Sequence, residues 1–343
     1  MTLSLSLHGG MVLPAHPLAL DEQGHIDDTA QRAVSRYHLD AGADGLAVGV
    51  HTTQFELHDD LGLLRHVWEL AADVAAEHKS NPILIAGLTG DTDRAVAEAE
   101  LAAELGYQAA LLSPWGMAER TEETLLERAR AVGRVLPTIG FYLQDSVGGL
   151  FLSRDFWSEL FSIESVIAVK TAPFDRYRTS DVMRTLLHHD RWSDVAVLTG
   201  NDDAIIHDLI TPYRATVRGE EREVRATGGL LGQWAVGTAA AVRLTRAAND
   251  SYSGAYVPTE LLAKASAMVE INAAVFDVVN DFAGCVPGVN EVLRQQGLIP
   301  TTRCLGADAL SPGQVELIAA ARRDYPDLLD ERFIADNRDT WLR

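Results

Sequence analysis

The 343-residue sequence predicts an α/β fold, a (β/α)8 TIM barrel with a C-terminal helical extension, from three observations. Short apolar segments alternate with amphipathic ones, eight times over. The short segments are apolar throughout, as strands buried on both faces of a parallel sheet must be. None is followed by a glycine-rich dinucleotide fingerprint, which favours a closed barrel over a doubly wound sheet. The expected division is a barrel over 1–250 and a helical extension packed on it over 251–343.

The elements follow in order. Leu3–Leu13 is a first strand, reaching a turn at Pro14. A helix over 28–41 stops at Gly42, and GLAVGV (45–50) is the second strand. A helix over 60–78 precedes the third, PILIAGL (82–88). Thr92 caps a helix whose apolar face carries Val96, Ala99 and Ala103, and Gly106 closes it. AALLSP (109–114) is strand four, and Thr121 caps the helix after it. IGFYL (139–143), VIAVK (166–170), VAVLTG (195–200) and ATGGLL (226–231) complete the eight. Two parts exceed a minimal barrel. Residues 213–228 alternate apolar or Thr with charge around Gly219, as a hairpin does. Beyond about 255 the chain reads as helical, with one helix opened by Pro258-Thr259 and running through Asn280. A last helix is opened by a capping box at Ser311–Gln314.

Composition narrows the function. A formal net charge of −20 repels nucleic acid phosphates and anionic membranes, so neither is an expected partner. The 47% hydrophobic content suffices for a large core. Cys285 and Cys304 have neither zinc spacing nor a disulfide framework, and no segment has the ~20 apolar residues of a membrane helix. A cytoplasmic setting is expected.

Active sites of such barrels lie at the C-terminal ends of strands. There, Lys170 is the informative residue. The chain holds three lysines, Lys79, Lys170 and Lys264, and every other permanent cation is arginine. Lys79 follows a helix end and Lys264 lies on a helix, where solvated roles are easy. Lys170 ends an apolar strand, where desolvation lowers an amine pKa and frees the lone pair that attacks a carbonyl. A snorkelling or ion-paired lysine accounts for the pattern equally well. Tyr142 ends the neighbouring strand, as a proton relay or as a buried aromatic with a satisfied hydroxyl. His51, Thr52 and Thr53 end strand two, as a carboxylate cradle or a polar loop cap. No His-x-His ends strand one, so no metal site is expected.

At this point the strand ends resemble those of the dihydrodipicolinate synthase / N-acetylneuraminate lyase family, over nearly the whole chain. PAHPLALDEQGHID (14–27) resembles the family's opening strand and turn. GADGLAVGVHTTQFELHDD (42–60) resembles its Gly-Thr-Thr-Gly-Glu segment, and LLSPWG (111–116) its Pro-aromatic segment. GFYLQDSVGG (140–149) sits where a catalytic tyrosine is expected, VIAVKTAP (166–173) resembles the Schiff-base lysine strand, and VLTGNDD (197–203) the Ser-Gly-Asp-Asp strand. VPGVNEVLRQQGLI (286–299) resembles part of its C-terminal helices.

The resemblance implies a Schiff-base lyase, an aldolase or dehydratase, acting on a 2-keto acid such as pyruvate or a 2-keto-3-deoxy sugar acid. Lys170 would be the nucleophile and Tyr142 the general acid/base. Val50, His51 and Thr52, with Gly200 and Leu231 backbone groups, would line the carboxylate end, and Asn201 would suit a hydroxyl. No metal or organic cofactor is implied, and a homodimer or homotetramer is, with Trp115 reaching a neighbour's site. The departures matter equally. Without a gap, the family's threonine pair falls on Val50 and His51, and Val50 cannot pass a proton; a two-residue shift places Thr52 and Thr53 there. After Tyr142 the synthases' Asn-x-Pro and arginine read Leu143, Asp145 and Val147. Gly116 replaces an aromatic. Dihydrodipicolinate synthesis itself is therefore not expected, unless Arg176, Arg178 or Arg214 supplies the missing cation. Two other readings stand beside the lyase: a non-catalytic keto-acid-binding protein on the same scaffold, and a metal-dependent barrel hydrolase.

Overall fold

The structure, a computed structural model, describes residues 3–254 and 256–343. Met1, Thr2 and Ala255, which the expected segments include, lie outside the described residues. The fold is the (β/α)8 barrel. Its strands are β1 (Val12–Pro14), β2 (Gly45–Val48), β3 (Ile83–Leu88), β4 (Ala109–Leu112), β5 (Thr138–Leu143), β6 (Val166–Ala172) and β7 (Ala196–Thr199). A separate hairpin, β8 (Tyr213–Val217) and β9 (Glu220–Val224), precedes the last barrel strand, β10 (Gly228–Leu231). The hydrogen-bonded order is β1-β10-β7-β6-β5-β4-β3-β2. A parallel bridge from Ala15 to Ala47 returns β1's extension to β2, so the order closes on itself.

The chain forms two compact units. The first comprises Met1–Met11, Ile85–Leu230 and Thr245–Leu261. Its strands pair in register through Leu111 with Ile139, Phe141 with Lys170 and Lys170 with Leu198. The helices α4 (Thr92–Glu104), α5 (Glu122–Val132), α6 (Arg154–Ser162), α7 (Arg176–His188) and α8 (Ile205–Ile210) alternate with these strands. Buried Arg128 on α5 donates to the carbonyls of Leu88 (3.1 Å) and Ser113 (2.8 Å), which ties down the ends of β3 and β4. The expected hairpin forms, with Arg218 and Gly219 both at positive φ, as its tight turn requires.

The second unit comprises Val12–Leu84, Leu231–Leu244 and Leu262–Arg343. It holds α2 (Asp28–Asp40) and α3 (Leu61–Glu77), then α10 (Thr259–Val275), α11 (Cys285–Gln296), α12 (Gln314–Asp324) and α13 (Glu331–Trp341). Helix α9 (Thr238–Ser253) starts here. Asp330 accepts from the Tyr37 hydroxyl (2.8 Å) and from the amides of Ala239 and Ala240, so one buried carboxylate anchors the first turn of α9.

Four local expectations change. Leu3–His8 is a helix, α1, rather than the start of a strand. It packs on β6 and β7 and fully buries Leu7, so tertiary contact overrides the Leu/Ser alternation that reads as period two. Asp91, not Thr92, is the N-cap of α4. The helix opened at Thr259 ends at Val275, and Asp277 enters the next turn at positive φ. Gly313, in the left-handed region, precedes α12, while Ser311 N–H donates to the Gln314 side chain at 3.1 Å, and α13 rather than α12 is the last helix.

Candidate active site

Lys170 lies two residues before the end of β6, on a strand otherwise apolar up to Thr171. It is 8% exposed. Burial pulls its ammonium down to about 8, against a smaller opposing pull from the Asp202 carboxylate. A substantial fraction of the amine is therefore neutral near physiological pH, the form that attacks a carbonyl.

Two neighbours shape its position. The first is Gly200, just past β7, whose N–H donates to the Thr171 carbonyl at 2.7 Å. A Cβ at 200 would stand 2.4 Å from Lys170 Cε and 2.8 Å from Ala172 Cβ. The glycine is there because the lysine stem passes over its Cα. Gly200→Ala is expected to slow reaction of Lys170 with a keto acid by about a hundredfold, the scale of an ångström-sized misplacement, with folding retained. An unchanged rate of borohydride-trapped adduct would show that the stem adapts freely.

The second neighbour is Phe141, which pairs with Lys170 across β5 and β6. The Lys170 Nζ lies 4.4 Å from the centre of its ring. Side chains alternate faces along a strand, so Tyr142 points the other way. Its ring packs against Trp157 of α6 (centroids 5.1 Å apart), and its hydroxyl accepts a long bond, 3.5 Å, from Leu152 N–H. Burial raises its pKa. The residue that shares a face with the amine is thus the one without a hydroxyl. Tyr142→Phe is expected to lower turnover by less than about tenfold, the range of one weak hydrogen bond. A fall of two orders or more would return the proton transfer to Tyr142.

Asn201 serves the loop after β7. Its side chain donates to Asp208 (2.9 Å) and Thr179 (3.2 Å) and accepts from Phe174 N–H (3.1 Å). Asp208 is buried and also accepts from the Thr199 hydroxyl (2.6 Å) and from Arg176 Nη2 (2.7 Å). Burial raises its pKa in spite of Arg176. This network fixes the backbone on both sides of Gly200. Lys170, Gly200, Asn201 and Asp202 are thus assembled in the first unit.

The other candidates belong to the second unit and form their own cluster. Val50 is buried and extended (φ −94°), and His51–Thr53 is a single 3-10 turn. Thr53, buried, is its organiser: its hydroxyl donates to the His16 carbonyl (2.6 Å) and accepts from Gly49 N–H (3.0 Å) and Val50 N–H (3.2 Å). The Thr52 hydroxyl donates to the same carbonyl at 3.3 Å. His51 is half-buried, with its ring 5.6 Å from that of Phe55. Leu231 is buried, and its carbonyl accepts from Ala15 N–H at 3.1 Å. His16 is held by Pro17 and Ser35, and burial lowers its pKa to about 4, so it stays neutral. Among the described residues, no group of three or more His, Cys, Asp or Glu side chains is placed to hold a metal ion. No helix among them is long and apolar enough to cross a membrane.

Sequence reasoning missed Phe141, and it reached Asp202 and Thr53 only as strand-end residues with no role that set them apart. Phe141 carried no readable signal, because which residue of β5 shares a face with Lys170 is set by the register of the two strands. The other two carry no sequence signal beyond lying near strand ends.

The profile of the dihydrodipicolinate synthetase family matches residues 9–212. No curated protein matches the sequence. Among solved structures, an N-acetylneuraminate lyase from Fusobacterium nucleatum is 19% identical, with TM-score 0.71, covering 93% of this chain and 99% of that one. A dihydrodipicolinate synthase from Oceanobacillus iheyensis is 16% identical, with TM-score 0.75, covering 94% and 97%. A dihydrodipicolinate synthase from Acinetobacter baumannii, complexed with pyruvate, is 19% identical, with TM-score 0.74, covering 93% and 99%. At these identities the likeness establishes the fold.

Proposed function

The chain belongs to the dihydrodipicolinate synthetase family, and from that premise we propose that it is a Schiff-base lyase acting on pyruvate or a 2-keto acid that yields it. The carrying observation is Lys170, buried on β6 with its amine lowered to about 8. Its lone pair attacks the keto carbon, and the carbinolamine loses water to leave a protonated imine. In C–C cleavage the imine takes up the pair of the C3–C4 bond as the C4 hydroxyl loses its proton and the fragment leaves as an aldehyde, and the enamine is then protonated at C3. In dehydration the imine takes up the pair of a C3–H bond whose proton goes to a base, and the enamine expels the C4 hydroxyl as water. Hydrolysis of the imine then releases the product and the lysine.

The proton carrier differs from the family's tyrosine in this reading. Phe141 stands beside the amine and has no hydroxyl to carry a proton. Asp202, 8% exposed and two residues beyond Gly200, is the carboxylate whose charge acts on Lys170. We assign it the general-base role, taking the proton from the hydroxyl of the departing fragment.

Substrate choice follows from the cations. A product with a second carboxylate needs a positive partner, and the three candidate arginines are already paired: Arg176 with Asp208 (2.7 Å), Arg178 with Asp145 (2.9 Å) and Arg214, on the hairpin, with Glu223 (2.6 Å). An unpaired carboxylate in a dry site costs roughly several kcal/mol. This supports a hydroxylated 2-keto-3-deoxy sugar acid over the dihydrodipicolinate reaction. Asn201 is committed to its loop, so hydroxyl recognition falls to other groups. A homodimer or homotetramer, and the barrel-plus-extension division at about residue 250, are proposed with this reading.

The test is reduction with borohydride in the presence of pyruvate, followed by peptide mass analysis. A reduced pyruvyl adduct on the peptide holding Lys170 is expected. An adduct on Lys79 or Lys264 instead, or none with a panel of 2-keto acids, would refute the reading.

A further inference from the structure

The hairpin inserted before the last barrel strand helps to build a cavity apart from Lys170. It measures about 310 Å³, within the size range of small-molecule sites, and lies wholly in the first unit. Its walls combine Val195 and Val197 of the β7 segment with Trp192, the hairpin residues Glu223 and Val224, and then Arg225, Thr227, Tyr252 and His8. The family match spans residues 9–212, so the hairpin, Arg225, Tyr252 and His8 all lie outside it.

The charges in this cavity do not cancel locally. Glu223 is met by Arg214 Nε at 2.6 Å and by the Tyr252 hydroxyl. Arg225 is half-buried, and among the described residues no carboxylate forms an ion pair with it. Its Nη1 donates to the carbonyls of Leu209 (2.7 Å) and Ala226 (3.4 Å), and its guanidinium stacks on the Tyr252 ring at 4.1 Å. The bonds and the stacking hold the guanidinium flat, with Nε and Nη2 left over. Burial lowers its pKa, against smaller opposing pulls from Tyr252 and from the Glu223 carboxylate, which Arg214 already pairs. A second polar atom is also unmet: His8 Nε2 is buried with no hydrogen-bond partner. Buried polar groups without partners are rare in native proteins, and a bound ligand is one of the ordinary explanations.

We propose that this cavity is a binding site for a small organic acid with an aryl or branched apolar body. The carboxylate pairs with Arg225 and accepts a hydrogen bond from His8, and the body lies against Trp192, Val195, Val197 and Val224. The molecule's net charge of −20 opposes the approach of any anion at long range, so selectivity comes from the local guanidinium and not from steering. The site is independent of the Schiff-base reading: it uses none of the groups assigned to that chemistry.

The probe pair is 3-phenylpropionate and its neutral amide, 3-phenylpropanamide, titrated against the intact protein by calorimetry and ligand-observed NMR. The acid is expected to bind at least tenfold more tightly than the amide. Arg225→Gln is expected to erase that preference, and Ser193→Trp, which fills the cavity from its rim, to weaken both probes at least tenfold. Each variant is checked for retained folding by far-UV circular dichroism and a cooperative thermal transition. Equal binding of acid and amide to the unsubstituted protein, no binding of either at millimolar concentration, or acid binding that survives Ser193→Trp unchanged would each overturn the proposal. The first two outcomes need no variant to fold.

Discussion

Lys170→Arg is expected to abolish the borohydride-trapped adduct and to lower turnover by about four to six orders of magnitude, the scale reached when a covalent nucleophile is removed. The substitution keeps the positive charge and a comparable length, so Asp202 still has a cation to face. What it removes is a lone pair available for attack, since guanidinium stays protonated at any accessible pH. The unsubstituted protein supplies the companion measurement. Its Lys170 amine is lowered to about 8 by burial, so the rate of imine formation should rise with pH through about 8 and level off above it. The neutral form is the reactive one, and raising the pH produces more of it. A midpoint near 10.4, that of an ordinary lysine, would mean that the amine is hydrated and the burial argument does not hold. Lys79→Arg and Lys264→Arg serve as controls that leave both adduct and profile intact. Residual adduct in the Lys170→Arg protein would move the nucleophile to one of them.

Asp202→Asn is expected to lower turnover by roughly two to four orders of magnitude, as general-base loss does, while the adduct at Lys170 still forms. The amide keeps the volume of the carboxylate, so packing around a residue 8% exposed is preserved. It also removes the one influence that raises the Lys170 pKa, leaving desolvation unopposed. The pH midpoint of imine formation should therefore move below that of the unsubstituted protein. A residue that only braces the loop would lower the rate without moving the midpoint, so the two readouts separate the roles. Turnover within threefold of the unsubstituted protein would sink the assignment and leave proton transfer to solvent or to Tyr142.

The candidate chemistry was legible in the sequence to the extent that it rests on local identity. Lysine is scarce in this chain, Lys170 stands in an apolar run, and only an amine can do what an arginine there cannot. The eight apolar runs and the hairpin turn around Gly219 were equally readable, because burial on both faces and a glycine at a turn leave compositional traces. The partner of the lysine was not. Phe141 and Tyr142 are adjacent and both aromatic, and either can end a strand. The choice depends on which of them falls opposite Lys170, and in a parallel sheet a shift of one residue exchanges the faces. The register of β5 on β6 sets that choice, through contacts spread along both strands.

The same division runs through the rest of the molecule. From its own residues the chain determined its fold class, the apolar strand that carries Lys170, and the absence of an arginine shortly after Tyr142. Only the tertiary structure decided that Leu3–His8 is helical, that Gly200 is small because a lysine stem crosses it, and that Asn201 is tied into a network with Asp208. It alone brought His8, Trp192, Arg225 and Tyr252 to one cavity. Periodicity and residue type record what each segment needs from its surroundings. Which atoms supply that need is settled between segments far apart in sequence, where pairing register and packing, and not local propensity, determine the lower free energy.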